Sequence, residues 1–169
     1  MSQQLRSTVL LIGGTGKVAS RVAPLLSANG NQVLVASRSG TSPQLANTQG
    51  IKFDWLDSAT FATPFDNNSV TSVFMICPTT LYPLPVMKPF IELAISKGVK
   101  RFVLLASTAI APGDEIMMGK VAEYIISLNV EYAILRPSWF MGMCCTLLYF
   151  PVFTQNNMTD PSIHHRKLL

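Results

Sequence analysis

The chain has 169 residues and a net charge of +4, and 49% of its residues are hydrophobic while only 13% are charged. An ordinary soluble domain carries about 25% charged residues, so this apolar composition excludes a disordered chain. The three cysteines are too few for a disulfide framework, and the length predicts one domain with a substantial core.

Six short apolar runs alternate with segments of helical period along the chain. The predicted strands cover residues 8–13, 32–37, 51–55, 72–77, 101–107 and 131–136. The predicted helices cover residues 14–29, 85–97 and 114–128. Runs that are apolar on both faces are typical of parallel strands covered by helices. The alternation therefore predicts an α/β fold with a doubly wound parallel sheet of about six strands.

A glycine-rich turn follows the first predicted strand. Gly14, Gly16 and Ala19 form the pattern G-x-G-x-x-A, and Gly13 adds a further glycine. In this pattern the first glycine permits a tight turn, and the second lets the backbone approach a pyrophosphate. The small third residue allows close helix–strand packing, and the start of the following helix favours an anion. The turn therefore predicts dinucleotide binding by a Rossmann fold.

The end of the second predicted strand indicates which dinucleotide binds. Ser37 and Arg38 stand where an acidic residue would accept hydrogen bonds from the ribose hydroxyls of NAD. A guanidinium pairs well with a 2′-phosphate, so we expect NADP(H). Asp54, at the end of the third strand, could accept a hydrogen bond from the adenine amino group beside Trp55. An ordinary turn aspartate fits the sequence nearly as well.

Two further strand ends provide candidates for chemistry. We expect the fourth and fifth strands to flank the point where the strand order reverses, which would place Cys77–Pro78 and Ser107–Thr108 beside the cofactor. Lys120 follows on the next helix, where it could hold the nicotinamide ribose or be a solvated lysine. In the Tyr-x-x-x-Lys pair of short-chain dehydrogenases a tyrosine would occupy the position of Ile116. An apolar side chain cannot protonate an alkoxide, so the chain either reduces a group that needs no proton on oxygen or binds the dinucleotide without chemistry.

Other functional classes find little support in the sequence. The basic residues are scattered without interleaved aromatics, which argues against nucleic-acid binding. A Ser–His–Asp hydrolase is excluded because the two histidines are the pair His164 and His165 and no G-x-S-x-G is present, and no Cys/His cluster has metal-ligand spacing.

Targeting signals are equally sparse. The polar start of the chain and the odd cysteine count predict the cytoplasm. Residues 137–159 are uncharged, but Pro151 and polar residues interrupt them, so a membrane helix is disfavoured.

Four segments together resemble a known family. LIGGTGKVASRVAPLL, FDWLD, GVKRFVLLAS and LRPSWFM resemble the NmrA-like branch of atypical short-chain dehydrogenases, and most closely the fungal ergot-alkaloid reductases of the festuclavine/agroclavine dehydrogenase type. The resemblance runs over residues 9–141. It implies NADPH-dependent hydride transfer to the C=N bond of a tetracyclic iminium formed from chanoclavine aldehyde. A hydride added to an iminium carbon leaves a neutral amine, which agrees with the missing tyrosine.

The resemblance also implies roles for individual residues. The glycine-rich turn would take the cofactor phosphates, Arg38 the 2′-phosphate, and Ser107, Lys120 and Arg136–Pro137 would lie near the nicotinamide. The expected cofactor contacts are Gly13, Gly14, Thr15, Gly16, Lys17, Val18, Ser37, Arg38, Asp54, Trp55, Cys77, Pro78, Arg136 and Pro137, the candidate catalytic residues are Ser107 and Lys120, and Trp139 and Phe140 would wall the substrate.

The sequence departs from the family after Met141. Family members continue into a substrate-side domain, whereas this chain reads GMCC and then an unrelated tail. We therefore expect a dinucleotide-binding domain at residues 1–141 and an atypical tail at 142–169, produced by truncation or alternative splicing. The apolar residues 137–153 predict self-association. Three interpretations stay open: an NADPH-dependent alkaloid reductase, a non-catalytic NADP-binding regulator, and an inactive truncated member of the family.

Overall fold

A computed structural model describes residues 7–138 of the chain. Six strands and three helices follow one another as β1 (Thr8–Ile12), α1 (Ala19–Ala28), β2 (Gln32–Ser37), β3 (Thr48–Lys52), β4 (Val70–Ile76), α2 (Leu84–Ser96), β5 (Arg101–Leu105), α3 (Gly119–Ser127) and β6 (Glu131–Leu135). Two short 3₁₀ turns, Ser58–Thr60 and Thr63–Phe65, lie between β3 and β4.

The six strands form one sheet in the order β3-β2-β1-β4-β5-β6, and every neighbouring pair is parallel. The predicted doubly wound parallel sheet is therefore confirmed. The chain first builds outward from β1 to β3 and then returns to place β4 on the other side of β1. The strand order thus reverses between β1 and β4, not between β4 and β5 as the sequence analysis expected. The carboxyl ends of β1 and β4 border the crevice where such sheets bind ligands.

Alternating side chains of the strands enter two separate cores. Leu10 packs on the face covered by α2 and α3, together with Phe90 and Phe102. Its neighbour Leu11 packs on the opposite face, where Ala23 of α1 covers the sheet. Successive strand residues point to opposite faces, so a strand covered on both sides must be apolar throughout. This burial explains the continuous apolar runs in the sequence.

Among the strands, the predicted and observed bounds agree for β2 and differ most for β3. The sequence predicted a strand at residues 51–55, whereas β3 covers Thr48–Lys52. The aromatic residues Phe53 and Trp55 leave the sheet and pack with Phe61 and Phe90, with ring centroids 5.0–6.1 Å apart. Their hydrophobic burial in this cluster, rather than strand pairing, accounts for the aromatic composition of the segment.

Two helices begin later than predicted. Helix α1 begins at Ala19 instead of residue 14, because residues 13–18 form the turn after β1. Helix α3 begins at Gly119 instead of residue 114, because residues 106–118 form an irregular loop after β5. Both differences lie at the carboxyl edge of the sheet, where the candidate site residues are found.

The chain divides into two units, Met1–Arg136 and Pro137–Leu169. The predicted boundary between residues 141 and 142, and the predicted self-association of the apolar tail, lie outside the described residues. Among residues 7–138, no helix has the length and apolar character needed to cross a membrane.

Candidate functional site

A cleft of about 490 Å³ lies at the carboxyl edge of the sheet. Its walls come from the segments that follow β1, β2, β3 and β4, so it occupies the crevice next to the strand-order reversal. The lining residues are Ile12, Gly13, Thr15, Gly16, Ala36, Ser37, Arg38, Phe53, Asp54, Trp55, Leu56, Ile76, Cys77, Pro78, Thr79 and Thr80. Nine of the residues predicted as cofactor contacts are among them.

Gly13 begins the turn between β1 and α1. Its φ of +77° lies in the left-handed region, which glycine adopts at little cost. A Cβ atom here would lie 3.2 Å from Ile76 Cδ1, so a larger residue would also crowd the end of β4. The N–H of Gly16 donates to the Gly13 carbonyl at 2.8 Å and closes the turn. Three residues later, Ala19 is fully buried where the helix approaches the sheet.

Gly14 has a different role from the one that the sequence pattern predicted. Its backbone N–H donates to the Ala36 carbonyl of β2 at 2.9 Å, and a Cβ atom would collide with the Val35 side chain. It is buried against β2 and does not line the cleft. Gly14 lies in the turn as the spacing predicts, but the left-handed conformation falls on Gly13.

The turn presents several backbone donors. Within residues 7–138, the N–H groups of Thr15, Lys17 and Val18 have no acceptor on the protein. Thr15 and Lys17 are exposed and precede the first turn of α1, where unpaired N–H groups and the helix dipole favour an anion. This arrangement fits a diphosphate, although Lys17 and Val18 are not among the residues that line the cleft.

Ser37 and Arg38 form the next part of the cleft wall. Ser37 is buried, and its hydroxyl donates to the Thr41 carbonyl at 3.3 Å. Arg38 is exposed, and no ion pair within the described part of the chain involves it. Its guanidinium is therefore available to an anionic ligand group in the cleft.

Asp54 and Trp55 both line the cleft, but each already has a partner. Asp54 Oδ1 accepts a hydrogen bond from the Leu56 N–H at 3.0 Å, the geometry of a turn aspartate. Trp55 Nε1 donates to the Ile76 carbonyl at 3.0 Å and thereby links the segment after β3 to the end of β4. Leu56 is strongly exposed beside them. The indole and Leu56 give this end of the cleft flat and apolar surfaces.

The segment after β4 supplies the opposite wall. Burial raises the pKa of the Cys77 thiol to about 12, so the thiol is neutral near pH 7. Pro78 follows it in the lining, as the sequence predicted, and Thr79 and Thr80 extend this wall. Sequence reasoning did not identify these two threonines, although their position directly after a predicted strand end was the available signal.

Ser107 and Lys120, the candidate catalytic residues, are not among the residues that line the cleft. Ser107 Oγ accepts a hydrogen bond from the Ala109 N–H at 3.2 Å. Lys120 Nζ lies 3.0 Å from a Glu115 carboxylate oxygen and 3.1 Å from a Glu123 oxygen. Both hydrogen bonds raise the pKa of Lys120, and the bond with Glu115 has the larger effect. The amine therefore stays protonated and cannot serve as a base near pH 7.

The remaining predicted residues follow β6. Arg136 donates to the carbonyl oxygens of Ser107 and Thr108 at 3.4 and 3.2 Å, so its guanidinium fixes the loop after β5. Pro137 belongs to the second unit of the chain. Trp139 and Phe140, the predicted substrate wall, lie outside the described residues. In the described part of the chain, no group of His, Cys, Asp or Glu side chains could hold a metal ion.

Several curated proteins with similar sequences are named for festuclavine or agroclavine. Festuclavine synthase I of Penicillium roqueforti is 40% identical over 141 residues, and the agroclavine dehydrogenase of Claviceps purpurea strain 20.1 is 43% identical over 140 residues. The chain is a homologue of the festuclavine and agroclavine dehydrogenases. This finding confirms the resemblance drawn from the sequence motifs. A festuclavine dehydrogenase of Aspergillus fumigatus is 36% identical over 141 residues.

The extent of the match to these dehydrogenase homologues is uneven. Each alignment covers 79% of this chain but only 47–48% of the relative, so the chain spans about half the length of the curated relatives it matches. No protein-family model matches the chain.

Solved structures agree with the fold of this dehydrogenase homologue. A Rossmann-fold NAD(P)-binding family protein from Shigella flexneri superposes with a TM-score of 0.63 at 24% identity, covering 79% of this chain and 68% of its own. A nucleoside-diphosphate-sugar epimerase from Staphylococcus aureus gives 0.66 at 15% identity, covering 85% and 54% of the two chains. At these identities the likeness establishes the Rossmann fold alone.

Proposed function

We propose that the chain binds NADPH and reduces the C=N bond of a cyclic iminium in ergot-alkaloid biosynthesis. The observation that carries this proposal is the cleft at the β1–β4 crevice, which is lined by both the turn that begins at Gly13 and Arg38. The Arg38 guanidinium has no ion-pair partner among residues 7–138. The names of the homologous festuclavine and agroclavine dehydrogenases support the pathway and the class of reaction.

The residues of the cleft fit the diphosphate, the 2′-phosphate and the base of NADPH. The turn after β1 would hold the diphosphate through the backbone N–H groups of Thr15, Lys17 and Val18. Arg38 would pair with a 2′-phosphate. Trp55 and Leu56 would contact the base at the apolar end of the cleft. When bound, the cofactor supplies the hydride, and these residues bind and orient it.

The proton balance of the proposed reaction agrees with the side chains available. Hydride addition to the iminium carbon forms a C–H bond, and the C=N π electrons become the nitrogen lone pair of a neutral amine. No oxyanion forms, so no phenol is needed where Ile116 stands. Lys120, held protonated by two glutamates, is not required to transfer a proton.

The choice of NADPH over NADH is tested by Arg38→Ala. Loss of a charge-assisted hydrogen bond costs about 1.5–3 kcal/mol, which corresponds to a loss of roughly 10- to 100-fold in NADPH affinity. NADH affinity should change less than about threefold, because NADH lacks the 2′-phosphate. Isothermal titration calorimetry measures both, and Lys100→Ala removes an exposed cation elsewhere as a control. Equal losses for the two cofactors would contradict the role of Arg38.

The reaction itself is tested by supplying a cyclic iminium and following NADPH oxidation by absorbance. The proposal expects turnover that needs both compounds and yields the secondary or tertiary amine, identified by mass spectrometry. NADPH binding without any turnover would reject the reductase for this chain.

A second candidate is a non-catalytic NADP-binding protein. It is favoured by the positions of Ser107 and Lys120, which do not line the cleft and already have partners within the chain. The turnover experiment separates the two candidates, since a binding protein would retain the Arg38-dependent preference for NADPH. The cytoplasmic location stays a prediction from the sequence.

A further inference from the structure

Two loops at the carboxyl edge of the sheet meet through one short hydrogen bond. The Met117 N–H in the loop after β5 donates to the Leu81 carbonyl in the loop after β4 at 2.6 Å. The meeting point carries four exposed apolar side chains: Leu81 at 60%, Tyr82 at 61%, Ile116 at 42% and Met117 at 41% of full exposure. We call these four residues the two-loop apolar surface.

The two-loop apolar surface continues from the cleft along the chain. Thr79 and Thr80 line the cleft, and Leu81 and Tyr82 follow them directly. The Tyr82 N–H donates to Thr80 Oγ1 at 3.4 Å, and this hydrogen bond links the two-loop apolar surface to the cleft wall. A ligand that extends from the cleft toward β5 would therefore meet this surface next.

The loop after β5 holds its side of the surface in one conformation. Met117 has a φ of +53°, which is uncommon for a side chain with a Cβ. The loop closes onto the first residue of α3, because the Gly113 N–H donates to the Gly119 carbonyl at 3.0 Å. A Cβ at Gly119 would collide with the Asp114 backbone, so the loop is packed tightly against the helix start. Left-handed residues persist where the surroundings determine them, often at ligand sites.

The charges beside the surface favour a cation. The loop after β5 and the start of α3 carry three carboxylates, those of Asp114, Glu115 and Glu123. Two cations lie against them, the ammonium of Lys120 and the guanidinium of Arg136 that donates to this loop, so one negative charge is in excess. Residues 77–83, which form the other loop, are uncharged. This local excess of negative charge contrasts with the net charge of +4 of the whole chain. An exposed tyrosine ring adds a further attraction, since aromatic faces bind cations.

We propose that the two-loop apolar surface binds the substrate of this reductase as a flat, apolar organic cation, with Tyr82 facing the positive charge. This inference rests on the proposed function and assigns residues to its substrate. Ile116, Leu81 and Met117 contact the apolar rings. The surface thereby selects a cationic imine over a neutral ketone of the same shape.

A probe without a reducible bond separates binding from chemistry. N,N-Dimethyltetrahydroisoquinolinium is a bicyclic organic cation without a C=N bond, and 2,2-dimethyltetralin is its neutral isostere. In calorimetric titrations of the NADPH-saturated protein, Tyr82→Leu should weaken the cation about tenfold and the neutral isostere less than twofold, the loss expected of a cation–π contact. Ile116→Asn should weaken both probes about fivefold, through lost apolar contact. Leu25→Asn, at an exposed leucine on α1, is the control and should change neither.

The outcomes separate this inference from the proposed function. Binding of the cation that Tyr82→Leu and Ile116→Asn leave unchanged overturns the inference, as does equal binding of the cation and its isostere. Should Ile116→Asn unfold in circular dichroism, Leu81→Asn tests the same contact. Tyr82-dependent cation binding without turnover of a cyclic iminium rejects the reductase but keeps the site, whereas turnover with Tyr82-independent binding rejects the site alone.

Discussion

The two sides of the β1–β4 crevice use their polar groups differently. On the β1–β2 side, residues 7–138 offer no acceptor to several backbone N–H groups of the turn after β1 and no ion-pair partner to Arg38. On the β5–β6 side, Lys120 and Arg136 are bound by carboxylates and carbonyls of the chain itself. The polar groups on the β1–β2 side are therefore available to a ligand, whereas those on the β5–β6 side hold a loop in place.

The largest effect that tests this difference is expected from Gly13→Ala. Both Gly13 and Gly30 have a left-handed φ, near +77° and +79°, but a Cβ at Gly30 meets nothing within 4 Å. Each alanine should cost about 1–2 kcal/mol of unfolding free energy through its backbone conformation. Only Gly13→Ala should also weaken NADPH, by at least about tenfold, because it displaces the turn that would hold the diphosphate.

Urea unfolding and calorimetric NADPH titration of the two variants measure these effects. Gly30→Ala serves as the matched control for backbone strain. If Gly13→Ala kept full NADPH affinity, the turn after β1 would not be the phosphate site.

A smaller effect is expected from Trp55→Phe. The substitution removes the hydrogen bond from the indole to the Ile76 carbonyl, which should cost about 1 kcal/mol of unfolding free energy. NADPH affinity should fall a few fold, because the indole lines the cleft. Tyr124→Phe removes an exposed hydrogen bond to Glu92 outside the cleft, and thermal unfolding and titration should find both quantities nearly unchanged. Equal effects of the two variants would show that Trp55 has no special relation to the cleft.

The smallest effect is expected from Lys120→Met. The NADPH affinity of the variant should stay within about twofold of the wild-type affinity, since Lys120 does not line the cleft. Glu115 and Glu123 raise the pKa of Lys120, so its contribution to stability is fully present below the ordinary pKa of 10.5. That contribution is lost as the pH rises through the raised pKa.

Urea midpoints of both proteins at pH 8 and above pH 11 test this sign. The small gap between the two proteins at the lower pH should close at the higher one. Lys97→Met, at an exposed lysine, provides a control with no gap at either pH. A strong loss of NADPH affinity in Lys120→Met would instead place this lysine at the cofactor.

The parallel sheet could be predicted from sequence because its strands are buried on both faces. Residues such as Leu10 and Leu11, which enter opposite cores, leave a continuous apolar signal. The edge strand β3 lacked that signal, since Thr48, Gln49 and Gly50 are not apolar. Gly50 pairs there because its missing side chain admits the Gly40 carbonyl, a tertiary contact that no local pattern records.

The cleft could be predicted in part. Ser37, Arg38 and Cys77 lie at or directly after strand ends, and the sequence predicts them at the cleft because parallel strands bring their carboxyl ends to one edge. The spacing alone could not show that Gly13 takes the left-handed conformation while Gly14 packs against β2, because these roles depend on how β2 approaches the turn. The ion pairs of Lys120 could not be predicted either, since Glu115 and Glu123 are both its neighbours only when the loop after β5 closes onto α3.

The hydrogen bond between Trp55 and the Ile76 carbonyl has a practical consequence. Trp55 is the only tryptophan in the described residues 7–138, and its ring is held at the cleft wall by that bond and by Phe53 and Phe90. Reduced nicotinamide absorbs light in the range where indole emits, so a fixed indole at this wall would transfer excitation energy to the proposed cofactor when it binds in the cleft. A fall in the fluorescence of Trp55 on addition of the reduced cofactor would therefore measure occupancy of the cleft without an attached dye.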